Sequence, residues 1–199
     1  MNYRSGLFIL LLAIIPAAAF CQSDHQAFYQ QSQQINNNGM YVLGSWALVN
    51  IATGAYGWAN GSGANKYFNQ MNLFWNVVNL SIAGFALINN YQTDYMAMGP
   101  DALMERHLKI ERLYLINAGI DILYIGTGAW LAHLSTSREK NRYLLKGYGN
   151  SIMLQGGFLF IFDTVMYFLQ HSRSTRFLEG INMDLSLGFC AVELTIILK

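Results

Sequence analysis

Leu113–Leu134, LYLINAGIDILYIGTGAWLAHL, is the stretch on which the fold turns. It is long enough to cross a bilayer, because a spanning helix needs about 20 predominantly apolar residues. Asn117 and Asp121 sit inside it four residues apart, so a helix places them on one face. A carboxyl near the bilayer centre costs at least about 2.5 kcal/mol on insertion scales and normally faces protein or water rather than lipid. Asp121 therefore demands a receiving group elsewhere in the chain.

Working outward, three more apolar stretches of similar length appear. Met40–Ala59, MYVLGSWALVNIATGAYGWA, is the first span, with Asn50 inside it. Asn72–Tyr91, NLFWNVVNLSIAGFALINNY, is the second, and its Asn72, Asn76 and Asn79 form one helical stripe. Tyr148–Gln170, YGNSIMLQGGFLFIFDTVMYFLQ, is the fourth, with Gln155 and Asp163 about two turns apart on one face. The connections carry ordinary loop signals: glycine-rich NGSGAN at Asn60–Asn65, Pro100 at a helix start, and the charged run Ser135–Lys146. The expected fold is thus all-α, a bundle of four transmembrane helices.

Composition agrees with that class. Of 199 residues, 53% are hydrophobic and only 12% charged, about half the charged share of a soluble domain. A net charge of +1 supplies no basic field, which argues against nucleic acid as a partner. The expected partners are membrane lipid and either other membrane proteins or further copies of the chain.

The two ends read differently. Arg4, the apolar run Leu7–Ile15 and the small residues Ala17–Ala19 before Cys21 form a secretory signal over residues 1–21. Simple cleavage would start the mature chain near Gln22; acylation of Cys21 or an uncleaved anchor are the alternatives. Cleavage leaves Cys190 without a disulfide partner. Residues 22–38, rich in Gln and Asn, read as a polar tail rather than a surface helix, residues 39–171 as the four-helix membrane domain, and residues 172–199 as a C-terminal tail. Within that tail Asp184–Lys199, DLSLGFCAVELTIILK, alternates in LSL and VELTI, which predicts a short β-like segment turning near Gly188. The signal and the cationic turn around Arg138, Lys140, Arg142 and Lys146 together predict a bacterial inner-membrane protein with its mature N-terminus periplasmic.

Ile51–Tyr56, IATGAY, matches Ile125–Trp130, IGTGAW, at the same depth of spans one and three. Either this is a parallel two-helix repeat about an axis along the membrane normal, or it is chance similarity between glycine-rich helices.

A rise of about 1.5 Å per residue places Asn50, Asn79, Asp121 and Asp163 near one level of the bilayer. The candidate polar layer is Asn50, Asn76, Asn79, Asn117, Asp121, Gln155 and Asp163. Asp163 is expected to face into the bundle near Asn117 or Asp121, where two carboxylates would not both stay ionised without a cation. Such a layer serves either assembly, each contact worth about 0.6 to 2 kcal/mol, or a site for a proton, ion or polar headgroup. On sequence alone a structural or partner-binding module is preferred. The alternative is a small transporter or a ligand- or cofactor-binding protein using Asp121 and Asp163. His25, His107, His133 and His171 show no metal-ligand spacing, and no nucleophile or phosphate-binding motif is present, so neither a metal, a catalytic residue nor a particular cofactor is assigned, and the expectation is a non-enzyme.

The combination MYVLGSWALVNIATG, QMNLFWNVVN, LYLINAGID and QGGFLFIFD, over Met40–Gln170, resembles a family of small uncharacterised membrane proteins from Bacteroidota defined as a domain of unknown function. That resemblance implies a four-helix membrane domain behind a signal peptide and assigns no catalytic residue.

Overall fold

A computed structural model describes the backbone from residue 3 to residue 197 and the side chains of residues 26–179. The described residues form four long helices: α1 (Tyr3–Asn60), α2 (Gly63–Gln92), α3 (Pro100–Leu134) and α4 (Arg142–Ile197). The connections are short for identifiable reasons. At the α1–α2 corner the Gly61 N–H closes on Gly57 O at 2.8 Å, and Gly63 takes a φ of +55°, which a side chain would resist. Between α2 and α3, Asp94 accepts from the Met96 N–H at 3.0 Å, and Pro100 opens α3 where its missing N–H is harmless.

Short connections make sequential helices antiparallel, so α1 and α3 run in the same direction. The pairing is direct in the contacts. Asn37 meets Asn90 at one end of the α1–α2 hairpin and Gly57 meets Asn69 at the other. In the second hairpin Glu111 meets His171, and Gly128 meets Gly149. The two matched TGA segments put their glycines to the same use. A Cβ on Gly54 would lie 2.9 Å from Asn69 O of α2, and one on Gly128 only 2.6 Å from Gly149 O of α4. Each glycine lets the next helix cross close to the backbone. The helix α4 packs on all three others, while α2 and α3 flank a gap.

Large apolar side chains face outward in a belt. On α2 it runs from Phe74 to Tyr91 and on α3 from Leu113 to Trp130, each about 26 Å at the helical rise and close to the thickness of a hydrocarbon core. Three helical segments are long and apolar enough to cross a membrane: Gly63–Gln92, Pro100–Leu134 and Glu139–Glu179. The first dozen residues of α3 extend beyond the belt.

Two sequence expectations are corrected. Residues 22–38 are not a tail: α1 runs through them, and Phe28, Tyr29, Ser32, Gln33 and Asn36 are buried. Their apolar part packs with Leu103 of α3 and Phe177 of α4, and Phe28 stacks on Phe177 at 4.4 Å. Polar composition hid this layer because Tyr29, Ser32 and Asn36 find hydrogen-bond partners inside the protein. The β-like tail is also replaced by helix, since α4 continues to Ile197. Alternation over three to five residues is too short to exclude a helix, and no proline interrupts the chain after Pro100. The side chains of residues 1–25, where a signal segment with Cys21 is expected, and of residues 180–199, with Cys190, lie outside the described residues.

Candidate functional site

The expected polar layer divides into two tiers about 12 Å apart, the eight-residue distance from Gln155 to Asp163 along α4. In the first tier, Trp46 Nε1 donates to Gln155 Oε1 at 3.1 Å, and Gln155 Nε2 donates to Asn72 Oδ1. Asn72 Nδ2 then donates to Asn50 Oδ1 at 2.9 Å, and Asn50 Nδ2 returns to Trp46 O at 2.8 Å. The four contacts close a ring through α1, α4 and α2. Asn76 and Asn79 extend it along α2 through Asn76 Nδ2 to Asn72 O at 2.7 Å and Asn79 Nδ2 to Asn76 Oδ1 at 3.4 Å. Trp46 also stacks on Phe158 at 4.0 Å, which holds its indole N–H toward the ring.

The second tier is acidic. Asp163 of α4 contacts both the carboxyl of Asp121 and the side chain of Asn117 on α3. Asp121 is only 3% exposed, yet its Oδ2 receives no hydrogen bond. The pair lies at the base of a cleft of about 380 Å³ between α2 and α3. Asn79 and Tyr114 border the acids, Val78, Ile82, Ile120 and Leu159 form apolar walls, and Trp75 meets Tyr124 edge-on at 4.8 Å. Trp75 thus belongs to the cleft. The α2–α3 gap makes the cleft open sideways, at the level of the apolar belt.

Gly156 explains the approach of α4 to the acids: a Cβ there would be 3.1 Å from Asp121 O and 3.0 Å from Tyr124 Cβ. Tyr114 links this tier to the layer beyond the belt, since its hydroxyl donates to Asn36 Oδ1 at 2.5 Å.

That outer layer has its own network. Ser32 Oγ donates to Gln170 Oε1 at 2.8 Å, so its 2.7 Å contact with His107 Nδ1 is made by the ring N–H donating to Ser32. The other nitrogen, Nε2, faces Glu111 Oε2 at 3.7 Å with no hydrogen bond. Glu111 in turn pairs with His171 at 2.7 Å and Ser174 at 3.0 Å. Burial pushes the His107 pKa down, with Glu111 pulling the other way. Burial also pushes the Tyr29 hydroxyl up, against its hydrogen bond from Gln33. Ser32, His107 and Glu111 superficially suggest a hydrolytic triad. Ser32 is fully buried and its proton is committed to Gln170, so the three form a clasp between helices.

Of the candidate residues, Asn50, Asn76, Asn79 and Gln155 join the amide tier, while Asn117, Asp121 and Asp163 form the acid tier. Asn72 and Trp46, four residues from Asn76 and Asn50 respectively, carry half of the amide ring, and that spacing was the available signal. Nothing in the local pattern marks Ser32, Tyr114 or Gln170.

A family profile matches residues 42–164, which contain both tiers and all of the cleft except Met40. The chain belongs to the DUF6992 family of unknown function. The matched stretch lies inside the Met40–Gln170 segment that carries the sequence resemblance. It includes His107 and Glu111 of the clasp but not Ser32, Gln170 or His171, so the DUF6992 region covers only part of the outer layer. No curated protein and no solved structure matches the chain.

Proposed function

We propose that this member of the DUF6992 family is a four-span protein of the bacterial inner membrane whose acid tier binds a small ligand entering between α2 and α3. In this reading α1 supplies the fourth span through its outward-facing Tyr41, Val42, Leu48, Val49 and Tyr56. The mature N-terminus and the clasp around His107 lie on the periplasmic side.

One observation carries the reading: the cleft ends on two touching carboxyls, one with an oxygen lacking any donor. The amide ring satisfies its own members, whereas Asp121 Oδ2 is an unpaired acceptor that lines an open cleft, and an unpaired buried acceptor opposes folding. The ring therefore serves assembly, and the acids are available to a ligand. We assign the site no reaction. A second reading, a packing module for another membrane protein or a second copy, draws on an apolar groove of about 420 Å³ between α1 and α4 lined by Val42, Ile161 and Val165.

Three variants test the proposal: Asp121→Asn, Asp163→Asn and Val78→Trp. Val78 lines the cleft but is 58% exposed, so a tryptophan there fills the mouth without entering the packed bundle. Each variant should accumulate normally, lose any small molecule retained by the wild type in native mass spectrometry, and fail to complement a deletion strain. Full complementation by all three would return the acids to a structural role.

A further inference from the structure

Resting on the cleft as a ligand site, we infer that its ligand is an organic cation with an apolar body, admitted from the bilayer between α2 and α3. The first argument is charge. Asp121 and Asp163 lie at the base, and no Lys, Arg or His is among the described residues that line the cleft. An anion would meet two acids with no cationic residue beside them, whereas a cation lets both carboxyls ionise.

Hydrogen-bonding capacity points the same way. Asp121 Oδ2 is a buried acceptor without a donor. The Tyr114 hydroxyl is already donated to Asn36, and Asn79 directs its N–H toward Asn76. The proton the two carboxyls share and the Asn117 amide are turned to the acid pair itself, so a ligand head that offers only acceptors leaves Asp121 Oδ2 still without a donor. An ammonium-type head offers charge as well as any N–H it carries.

The walls define the rest of the molecule. Trp75, Tyr114, Tyr124 and Phe162 bring aromatic rings to the cleft, and such rings attract a cation placed over their faces. Val78, Ile82 and Ile120 continue the lining to the lipid-facing surface. A bare proton or inorganic ion needs neither about 380 Å³ nor apolar walls, while a small organic molecule fits both. Position completes the argument, because the opening lies within the apolar belt, where an amphiphilic cation concentrates and a fully hydrated one does not.

The test uses the full chain in a nonionic detergent with three probes of one shape: benzyltrimethylammonium, its uncharged carbon isostere neopentylbenzene, and the anion benzylsulfonate. Binding is read by calorimetry and by the shift in thermal midpoint, each scored against Val78→Trp to remove micelle partitioning. The cation should bind saturably and at least tenfold more tightly than the isostere, with no binding of the anion. That affinity should fall at least tenfold in Asp121→Asn, Asp163→Asn and Val78→Trp. Should an acid variant fail to fold, Val78→Trp alone decides. Equal binding of neopentylbenzene, lost in Val78→Trp, would overturn the cationic assignment but keep the cleft as a site. Cation binding indifferent to all three substitutions would also overturn it, as surface adsorption. Binding of no probe, with complementation intact in Val78→Trp, would remove the site reading as well.

Discussion

Gly128→Ala and Gly126→Ala place the same methyl group on the same helix two residues apart, on opposite faces. Gly126 is open, with nothing within 4 Å of an added Cβ. At Gly128 the Cβ would meet Gly149 O at 2.6 Å and Met153 N at 2.7 Å, both backbone atoms that cannot rotate away. Ordinary contact begins near 3.4 Å, so α3 and α4 must part by about 0.8 Å at this crossing. A gap of that size forfeits roughly a third of the attraction of each displaced atom pair. For about twenty pairs near the crossing, at about 0.15 kcal/mol each, that is on the order of 1 kcal/mol. Residual overpacking adds about 1 to 3 kcal/mol. Both variants gain the same helix-propensity benefit, about 0.5 to 1 kcal/mol, so it cancels between them. Gly128→Ala should therefore be less stable than Gly126→Ala by about 2 to 4 kcal/mol. Equilibrium unfolding of the purified chain in mixed micelles, titrated with a denaturing detergent, measures the difference. Equal stabilities would refute the close α3–α4 crossing and, with it, the placement of Asp163 beside Asp121.

Three further perturbations probe the rest of the fold. Gly156→Leu should separate α4 from α3 and destabilise the protein far more than Gly126→Leu, since only Gly156 faces Asp121 O at 3.1 Å; matched thermal midpoints would contradict this. Gln155→Leu leaves Trp46 Nε1 without a partner and Asn72 Oδ1 with only the 3.5 Å bond from Asn76 Nδ2, and should cost about 1 to 2 kcal/mol while sparing cation binding at the acids, read by the same unfolding titration and calorimetry. For His107, burial holds the folded-state pKa below the ordinary 6.5, so the unfolded chain takes up the proton more readily. The stability this contributes is present above about pH 6.5 and is lost as pH falls below it. The groups facing His107 are Glu111 on its own helix, Ser32 and Phe28 on α1, and Gln170 on α4, with His171 reached through Glu111. Unfolding midpoints followed from pH 7.5 to 5.5 should fall, and His107→Gln should flatten that fall; an unchanged slope would show that the histidine is not the group responsible.

Sequence by itself determined the long apolar stretches, the turns between them and the presence of a buried polar group in each, because hydropathy and turn chemistry are local properties. It also determined that Asp163 and Asp121 stand at compatible depths, since depth along a helix follows from a constant rise per residue. Rotation about each axis and distance between axes are not local. They depend on which side-chain ridges and glycine gaps meet across helices, as Gly54 meets Asn69 and Gly128 meets Gly149. Tertiary structure therefore decided that one expected polar level is two tiers, that Asn72 and Trp46 complete the amide ring, and that α2 and α3 stand apart to leave the cleft. It also decided the fate of residues 22–38. Their glutamines, asparagines and serine look like solvated tail until Ser32 finds Gln170, 138 positions away, and a pairing that distant leaves no trace in local composition.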